Sequence, residues 1–267
     1  MAERRLITLL TDFGSSDVYV GVLKGTIACI DRSLSAIDLT HEIPPQNLRA
    51  ARFCLMSAWA YFPVGTVHVA VIDPGVGSSR RAVAIEFAGG FLVGPDNGLF
   101  GGVLSQSEAI AAVELTQPRY WRTPTPSTTF HGRDIFAPVG AHLATGVSLQ
   151  ALGTPIDPQS LVQLSLPELT KKDNHAFGGI QYCDRFGNLV TNIPGEWAIA
   201  KAFSVTMGDR KIRGVRTYSQ GQPGELLALV GSHGWVEIAV NRGSAREIVS
   251  FREEVEVAVA IEFGESH

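Results

Sequence analysis

Residues 67–81 read VHVAVIDPGVGSSRR, a segment in which an apolar strand pattern runs directly into a turn rich in glycine. The apolar run predicts a buried β-strand with Asp73 at its tip. Pro74 and the glycines that follow it favour a tight turn. The turn presents Asp73 and Arg80 at a surface, and open α/β sheets bind their ligands at the carboxyl ends of strands.

Taken alone, the DPG tripeptide is more typical of a plain hairpin turn in which Asp73 caps its own backbone, because short motifs often match by chance. Three further polar clusters change this interpretation. They lie at the ends of predicted strands or just before a predicted helix, and they comprise residues 11–14 (TDFG), 128–134 (TTFHGRD) and 184–188 (DRFGN). Their coincidence at the ends of successive elements favours a ligand site.

The first part of the chain alternates between strand and helix patterns. We expect strands at residues 6–10, 36–39, 67–72, 82–87 and 91–93, and helices at residues 18–30, 47–62 and 134–145. Asp17 is placed to cap the first helix, and Trp59 and Phe62 are expected in the core. This alternation predicts an α/β N-terminal domain, with a mixed or parallel sheet and flanking helices.

Near residue 161 the pattern changes to short strands separated by turn residues. These strands are expected at residues 176–182, 189–193, 203–207, 226–230, 235–240 and 255–261. Many short strands with little helix predict a smaller all-β, barrel-like C-terminal domain. We therefore expect domains at residues 1–160 and 176–267, joined by a linker at residues 161–175.

The composition limits the classes of function. The net charge of −4 gives no electrostatic footprint for nucleic acid, and no apolar run reaches membrane-spanning length. We expect the N-terminal segment MAERRLITLL to form a first strand rather than a signal peptide. Three cysteines are far apart in the sequence and suit a reducing cytoplasm: Cys29, Cys54 and Cys183. We expect them to pack as small apolar residues.

Several familiar motifs are absent. The DFG and HGRD sequences occur in the wrong order for a protein kinase, whose glycine-rich loop and strand lysine are missing. GVGSSR lacks the third glycine of a dinucleotide fingerprint, and His41 lacks the second histidine of a zinc HExxH motif. We therefore expect no bound metal and no cofactor.

Six motifs, in order, resemble the S-adenosylmethionine hydrolase (hydroxide adenosyltransferase) family, which is related to the bacterial fluorinase and chlorinase. They are TDFG, LTHEIPPQN, VIDPGVGSSRR, VGPDNGLF, STTFHGRDIFAP and DRFGNLVTNI. The resemblance extends from about residue 6 to about residue 245. It implies an α/β domain followed by a barrel-like domain, in agreement with the patterns above.

The resemblance also implies roles for individual residues. The hydrolase triad matches Asp73, Arg80 and His131, with Arg81 as an alternative to Arg80. Asp12 is expected to bind the ribose hydroxyls and Ser232 the methionine carboxylate. The methionine amino group and adenine are expected to bind Asp184, Phe186 and Asn188. Glu237 and Val240 are expected beside the purine.

The implied activity is hydrolysis of S-adenosyl-L-methionine to adenosine and methionine, by in-line attack of a water or hydroxide on ribose C5′. The implied assembly is a homotrimer with its sites between subunits. Halogenases of the family carry tyrosine where Asp73 stands and Tyr-Gly or Tyr-Ser in place of His131-Gly132, which favours water over halide here. One departure is His233, where the fluorinase has an arginine, a change that bears on carboxylate binding.

Two divisions of labour remain open at this point. In the first, Asp73, Arg80 and His131 position a water and share its proton. In the second, Arg80 and His131 stabilise a hydroxide and Asp73 only orients them. The alternative functions are a halide-dependent adenosyltransferase and a protein that binds S-adenosylmethionine or adenosine without chemistry.

Overall fold

The computed structural model describes residues 6–199, 202–252 and 258–263. The chain divides into two compact units, residues 1–164 and 165–267. The predicted boundaries at residues 160 and 176 stay a prediction. Within the predicted linker range, a short strand forms at Thr170–Lys172.

A seven-stranded mixed sheet forms the centre of the first unit. Its strands are β1 (Ile7–Thr11), β2 (Ala36–Thr40), β3 (Thr66–Val71), β4 (Ala82–Phe87), β5 (Gly90–Pro95), β6 (Ala109–Glu114) and β7 (Thr154–Ile156). The strand order is β2-β1-β3-β5-β4-β6-β7. The first four strands of this order run parallel, and β4, β6 and β7 continue the sheet in antiparallel fashion.

Helices cover this sheet, as the alternating pattern predicts. They are α1 (Tyr19–Ile30), α2 (Leu48–Ala58), the single turn α3 (Gly101–Leu104) and α4 (Ala137–Ala144). All residues of β1 and β3 are buried, as expected for parallel strands with both faces covered. Side chains of β1 and β3 share one hydrophobic core with Leu23 and Ile27 of α1 and with Val139 and Leu143 of α4.

Helix α2 follows the apolar periodicity of its sequence. The side chain of Asn47 accepts a hydrogen bond from the backbone N–H of Ala50 (2.9 Å), which caps the helix. The α-helix ends at Ala58 and one 3₁₀ turn continues it over Trp59–Tyr61. Trp59 and Phe62 are half-buried rather than core residues.

Two expectations for the other helices need correction. The prediction that Asp17 caps α1 was wrong: Val18 occupies the cap position and no side chain caps the helix. The first helical hydrogen bond joins Val22 N–H to Val18 O, so Asp17 lies one residue too early. The predicted helix at residues 134–145 begins earlier, with a π-helical turn at Gly132–Phe136 that leads into α4.

The second unit is an all-antiparallel sheet. Its strands are β8 (Thr170–Lys172), β9 (His175–Cys183), β10 (Leu189–Pro194), β11 (Phe203–Met207), β12 (Arg210–Arg213), β13 (Leu226–Val230), β14 (Trp235–Val240) and β15 (Ala258–Phe263), with one helical turn α5 (Ala245–Ile248). Residues 255–257 of the predicted last strand lie outside the described residues. The predicted α/β domain and all-β domain are confirmed, whereas β6, β7, β8 and β12 were not predicted.

This second sheet nearly closes into a barrel. Its path runs β12-β11-β15-β9-β10-β14-β13, with β8 paired to β9. The two ends of the path approach each other where Gly214, just after β12, pairs with Ala228 of β13. The interior contains apolar side chains from every long strand, including Ile180, Val205 and Ile238.

The three cysteines, all within the described residues, form no disulfide bond. Cys54 and Cys183 are half-buried, but Cys29 is exposed, so the expectation that it packs as an apolar residue was wrong. Within the described part of the chain, no helix is long and apolar enough to cross a membrane.

Candidate active site

Asp73, Arg80 and His131 form one cluster at the carboxyl edge of the first sheet. Arg80 Nε donates a hydrogen bond to Asp73 Oδ1 (2.9 Å), and Arg80 Nη2 donates to Asp73 Oδ2. The same Nη2 lies 2.7 Å from Nδ1 of His131. The side chains of Asp73 and Arg80 are only 6% and 11% exposed. These hydrogen bonds therefore hold the three side chains in a defined arrangement.

The contact with Arg80 determines the proton position on His131. A guanidinium has donors and no acceptor, so Nδ1 of His131 must accept. The neutral ring then carries its proton on Nε2. Burial and the positive charge of Arg80 lower the pKa of His131 below its ordinary value of 6.5. His131 is thus a neutral imidazole at neutral pH, with Nε2–H as its donor.

Arg80, rather than its neighbour Arg81, meets Asp73. Arg81 donates through Nε and Nη2 to Asp96 Oδ2 (2.8 and 2.6 Å), and its Nη2 also donates to the backbone carbonyl of Ser160 (2.6 Å). Each of the two adjacent arginines therefore has its own carboxylate partner. The guanidinium of Arg80 also lies over the ring of Phe136, 5.3 Å from its centroid.

The loop that carries His131 is held by a buried carboxylate. Asp134 Oδ2 accepts the backbone N–H of Ser127 (2.8 Å), and Arg133 donates to both oxygens of Asp134. The hydrogen bond from Arg133 lowers the pKa of Asp134, which keeps it ionised. This loop touches the loop of Asp73 at Gly77, whose φ is +79° and where a Cβ would overlap the carbonyl oxygen of Thr128.

Aromatic rings from three segments pack together beside the cluster. The ring of Phe130 lies 5.8 Å from that of Phe13 and 5.4 Å from that of Tyr19, in edge-to-face contacts. Both phenylalanine rings also lie against Gly132, the residue after His131. Phe13 and Phe130 therefore give this side of the cluster an apolar surface.

Asp12 lies at the same sheet edge, because it follows β1 as Asp73 follows β3, and the two parallel strands pair Thr11 with Val71. Asp12 Oδ2 accepts the backbone N–H of Gln46 (2.8 Å). Gln46 has a φ of +64°, which is unusual for a residue with a side chain. This contact had no signal in the sequence, since it joins residues 34 positions apart.

In the second unit, Asp184 organises its own turn. Asp184 Oδ1 accepts the N–H groups of Phe186 (2.9 Å) and Asn188 (2.8 Å), and Asn188 Nδ2 donates to Asp184 Oδ2 (2.9 Å). The Phe186 side chain is 77% exposed at the tip of this turn. The turn borders an open cavity of about 570 Å³. The lining residues include Asp184, Phe186, Ser244, Arg246 and Phe251.

Glu237 is buried and bound on both oxygens. Tyr218 donates its hydroxyl to Oε1, and His233 Nε2 lies 2.9 Å from Oε2. The backbone N–H of Trp235 donates to Nδ1 of His233, so the proton of the neutral His233 ring is on Nε2 and points to Glu237. Burial and Glu237 raise the pKa of Tyr218. The sequence did not predict the involvement of Tyr218.

The other two predicted residues of β14 and its turn differ in exposure. Ser232 is exposed, and Val240 is buried in the interior of the barrel. Among the described residues, no group of three or more His, Cys, Asp or Glu side chains could hold a metal ion.

Comparison with known proteins links both units to one family. The family model described as the SAM hydroxide adenosyltransferase N-terminal domain matches residues 7–153, and that of the SAM hydroxide adenosyltransferase C-terminal domain matches residues 178–258.

The chain is also similar to individual proteins over most of its length. The chain is 38% identical to the (R)-S-adenosyl-L-methionine hydrolase of Salinispora arenicola over 254 residues, which cover 94% of this chain and 95% of that protein. It is 26% identical to the fluorinase of Actinopolyspora mzabensis over 72% of each chain. A crystal structure of an uncharacterized conserved protein from Thermotoga maritima superposes with a TM-score of 0.87, at 34% identity, covering 96% of this chain and 99% of that one.

Proposed function

The chain belongs to the SAM hydroxide adenosyltransferase family and is an enzyme that hydrolyses S-adenosyl-L-methionine, and we propose that Arg80 and His131 bind the attacking oxygen while Asp73 holds Arg80. The products are adenosine and methionine. The observation that carries the proposed division of roles is the contact between Arg80 Nη2 and His131 Nδ1.

This contact favours one of the two mechanisms left open by the sequence. A general base needs a free lone pair, but the lone pair of His131 accepts from Arg80. Both oxygens of Asp73 also accept hydrogen bonds from Arg80, so the carboxylate is directed at the guanidinium rather than at a water. The Nε2–H of His131 and the guanidinium of Arg80 are donors suited to a hydroxide. We therefore assign them to electrostatic stabilisation of the nucleophile.

The apolar surroundings suit this reaction. Hydroxide and a sulfonium neutralise each other as the C–O bond forms and the C–S bond breaks. Water stabilises separated charges better than the dispersed charge of the transition state, so a dry pocket accelerates this step. The rings of Phe13 and Phe130, packed beside Gly132, place apolar surface next to His131. Methionine leaves as a neutral thioether and needs no proton.

We propose that Asp12 binds the ribose hydroxyls, because its carboxylate is oriented by the Gln46 N–H at the edge that carries Asp73. Asp12→Ala should raise the Kd for adenosine about tenfold or more, as expected for loss of hydrogen bonds to a charged group. Asp17→Ala, in an exposed turn nearby, is the matched control and should leave the Kd unchanged. An unchanged Kd for Asp12→Ala would exclude the ribose assignment.

The remaining substrate contacts are proposed for the second unit. Asp184, Phe186 and Asn188 share one ordered turn, which supports their assignment to the amino group and adenine. Ser232 is exposed and suited to the carboxylate. Glu237 and Val240 are proposed to lie beside the purine as part of strand β14. The Glu237 carboxylate itself binds Tyr218 and His233.

The activity is tested by incubating chelator-treated protein with S-adenosyl-L-methionine in ¹⁸O-labelled water, with and without chloride, followed by mass spectrometry. Adenosine labelled at its 5′ oxygen, together with methionine, is the expected product. This outcome would also support the proposal that neither a metal nor a cofactor is needed. A 5′-chloro nucleoside would indicate a halogenase, and intact bound substrate would indicate a binding protein.

We also propose a cytoplasmic homotrimer in which the second unit of one subunit completes the site of its neighbour. Co-expression of Asp73→Asn and Asp184→Ala chains tests this arrangement, since each chain alone lacks one half of the site. In a random mixture, about a quarter of the sites would be intact if they lie between subunits. Absence of any recovered activity in mixed oligomers would overturn the proposal.

A further inference from the structure

The strand order forces the loop of Asp73 to cross another strand. In the sheet, β5 lies between β3 and β4. It pairs with β3 in parallel, Val69 with Val93, and with β4 in antiparallel fashion, Ala82 with Pro95. The connection from β3 to β4, residues 72–81, must therefore pass over the end of β5. The turn at residues 95–97 lies at this crossing.

This turn binds both ends of the crossing loop. The side-chain Nδ2 of Asn97 donates to the carbonyl oxygen of Ile72 (2.8 Å), the residue before Asp73. The backbone N–H of Asp96 donates to the carbonyl oxygen of Arg81 (3.0 Å), the residue after Arg80. Both residues of the reactive ion pair are thus flanked by a peptide held by the turn.

The orientation of the Asn97 amide is set by its second contact. Its Oδ1 accepts the backbone N–H of Leu99 (3.3 Å), so Nδ2 must face the Ile72 carbonyl. Within the loop, local backbone hydrogen bonds join the N–H of Val76 to the carbonyl of Asp73 and the N–H of Ser78 to the carbonyl of Gly75. Asn97, a side chain outside the loop, therefore holds the peptide of Ile72, and this peptide orients Asp73.

We propose that Asn97 is a positioning residue for hydrolysis: by holding the Ile72 peptide, it places the Asp73 carboxylate, and through it Arg80 and His131. This inference rests on the proposed function, because it takes these three residues as the reactive group. A rotation of the Ile72 peptide would displace Asp73, and Arg80 would follow because Asp73 binds it through two hydrogen bonds.

Asn97→Asp tests the proposal with an isosteric change. It replaces the Nδ2–H₂ donor by an oxygen that faces the Ile72 carbonyl, while Leu99 keeps its acceptor. The expected result is a kcat lower by about 10- to 100-fold, since small displacements of reacting groups have effects of this size. KM should stay within about twofold, because the proposed substrate-binding residues are not displaced.

Asn192→Asp is the matched control. Asn192 Nδ2 donates to the carbonyl of Pro167 (2.7 Å) and its Oδ1 accepts the N–H of Gly179 (2.9 Å), the same kind of bridge in the second unit. Both variants should lower Tm. Only Asn97→Asp should lower the kcat per folded protein.

A second measurement does not depend on activity. In protein with ¹⁵N-labelled histidine, the His131 signals are identified by their loss in His131→Ala. They should shift in Asn97→Asp and stay in place in Asn192→Asp, because Nδ1 of His131 senses Arg80. Unchanged kcat together with unchanged His131 signals would overturn the positioning role. A wild type that fails to hydrolyse, with the signal shift present, would overturn the proposed function alone.

Discussion

The Nη2 atom of Arg80 lies 2.7 Å from Nδ1 of His131, and the same Nη2 also donates to Asp73. One guanidinium nitrogen thereby joins a carboxylate and an imidazole that are far apart in the sequence. Because arginine stays protonated at all relevant pH values, this contact keeps a proton off Nδ1 of His131. The pH dependence of the reaction should reflect this property.

We expect the advantage in kcat of wild type over His131→Ala to decrease as the pH falls through the pKa of His131, below 6.5. The lowered pKa means that the folded protein favours the neutral ring. Protonation in acid would place a proton on Nδ1, facing the Arg80 donor, and would disrupt the contact. The kcat of both proteins, measured from about pH 5 to 8, checks this. A ratio that does not vary with pH would contradict it.

Arg80→Lys should lower kcat by about 100-fold, because an ammonium cannot reproduce the planar pair of donors to Asp73 together with the donor to His131. Arg81→Lys is the matched control one residue away, where the partner is Asp96. It should keep kcat within about threefold. Steady-state kinetics gives the kcat of each variant. Equal losses of kcat in Arg80→Lys and Arg81→Lys would mean that the two arginines share the role.

Gly77→Ala should lower kcat about tenfold or more by separating the two loops of the site. The added Cβ would overlap the Thr128 carbonyl, and the φ of +79° is unfavourable for alanine. Gly21→Ala, in α1 where an added Cβ would meet open space, is the control and should retain full activity. Activity of Gly77→Ala equal to wild type would show that the loops tolerate separation.

His68 should make the first unit sensitive to acid. It is buried in β3, its Nδ1 lies 2.8 Å from Thr8 Oγ1, and burial lowers its pKa to about 4. Below pH 6.5 the unfolded chain therefore binds a proton that the folded chain does not bind. The free energy of unfolding should fall by about 3 kcal/mol between pH 6.5 and pH 4 through this group.

His68→Gln keeps a side chain that can bond to Thr8 and removes the titration. Urea unfolding at several pH values should show a smaller acid loss for the variant than for wild type, by about the same 3 kcal/mol. If the free energy of unfolding of both proteins fell equally with pH, the acid sensitivity would come from other groups.

Much of the fold was predictable from local patterns. The helix at α2 followed from apolar residues three or four positions apart, whereas its cap by Asn47 was seen only in the structure. The strands β1 and β3 followed from short apolar runs. The Asp17 cap failed because a shift of one residue, which the sequence does not reveal, removes the side chain from the helix amides. The π-helical turn after His131 also depends on packing, since the same residues could form a regular α-helix.

The amino-acid sequence alone determined the two architectures, the edge of the sheet at which polar residues gather, and the residue types available there, because burial patterns and turn residues act over a few neighbouring positions. Only the tertiary structure decided that Arg80 binds Asp73 while Arg81 binds Asp96, and that Asn97 holds the peptide before Asp73. These contacts follow from the strand order β3-β5-β4, which makes one loop cross another strand. That order results from packing of the whole sheet, and no short segment encodes it.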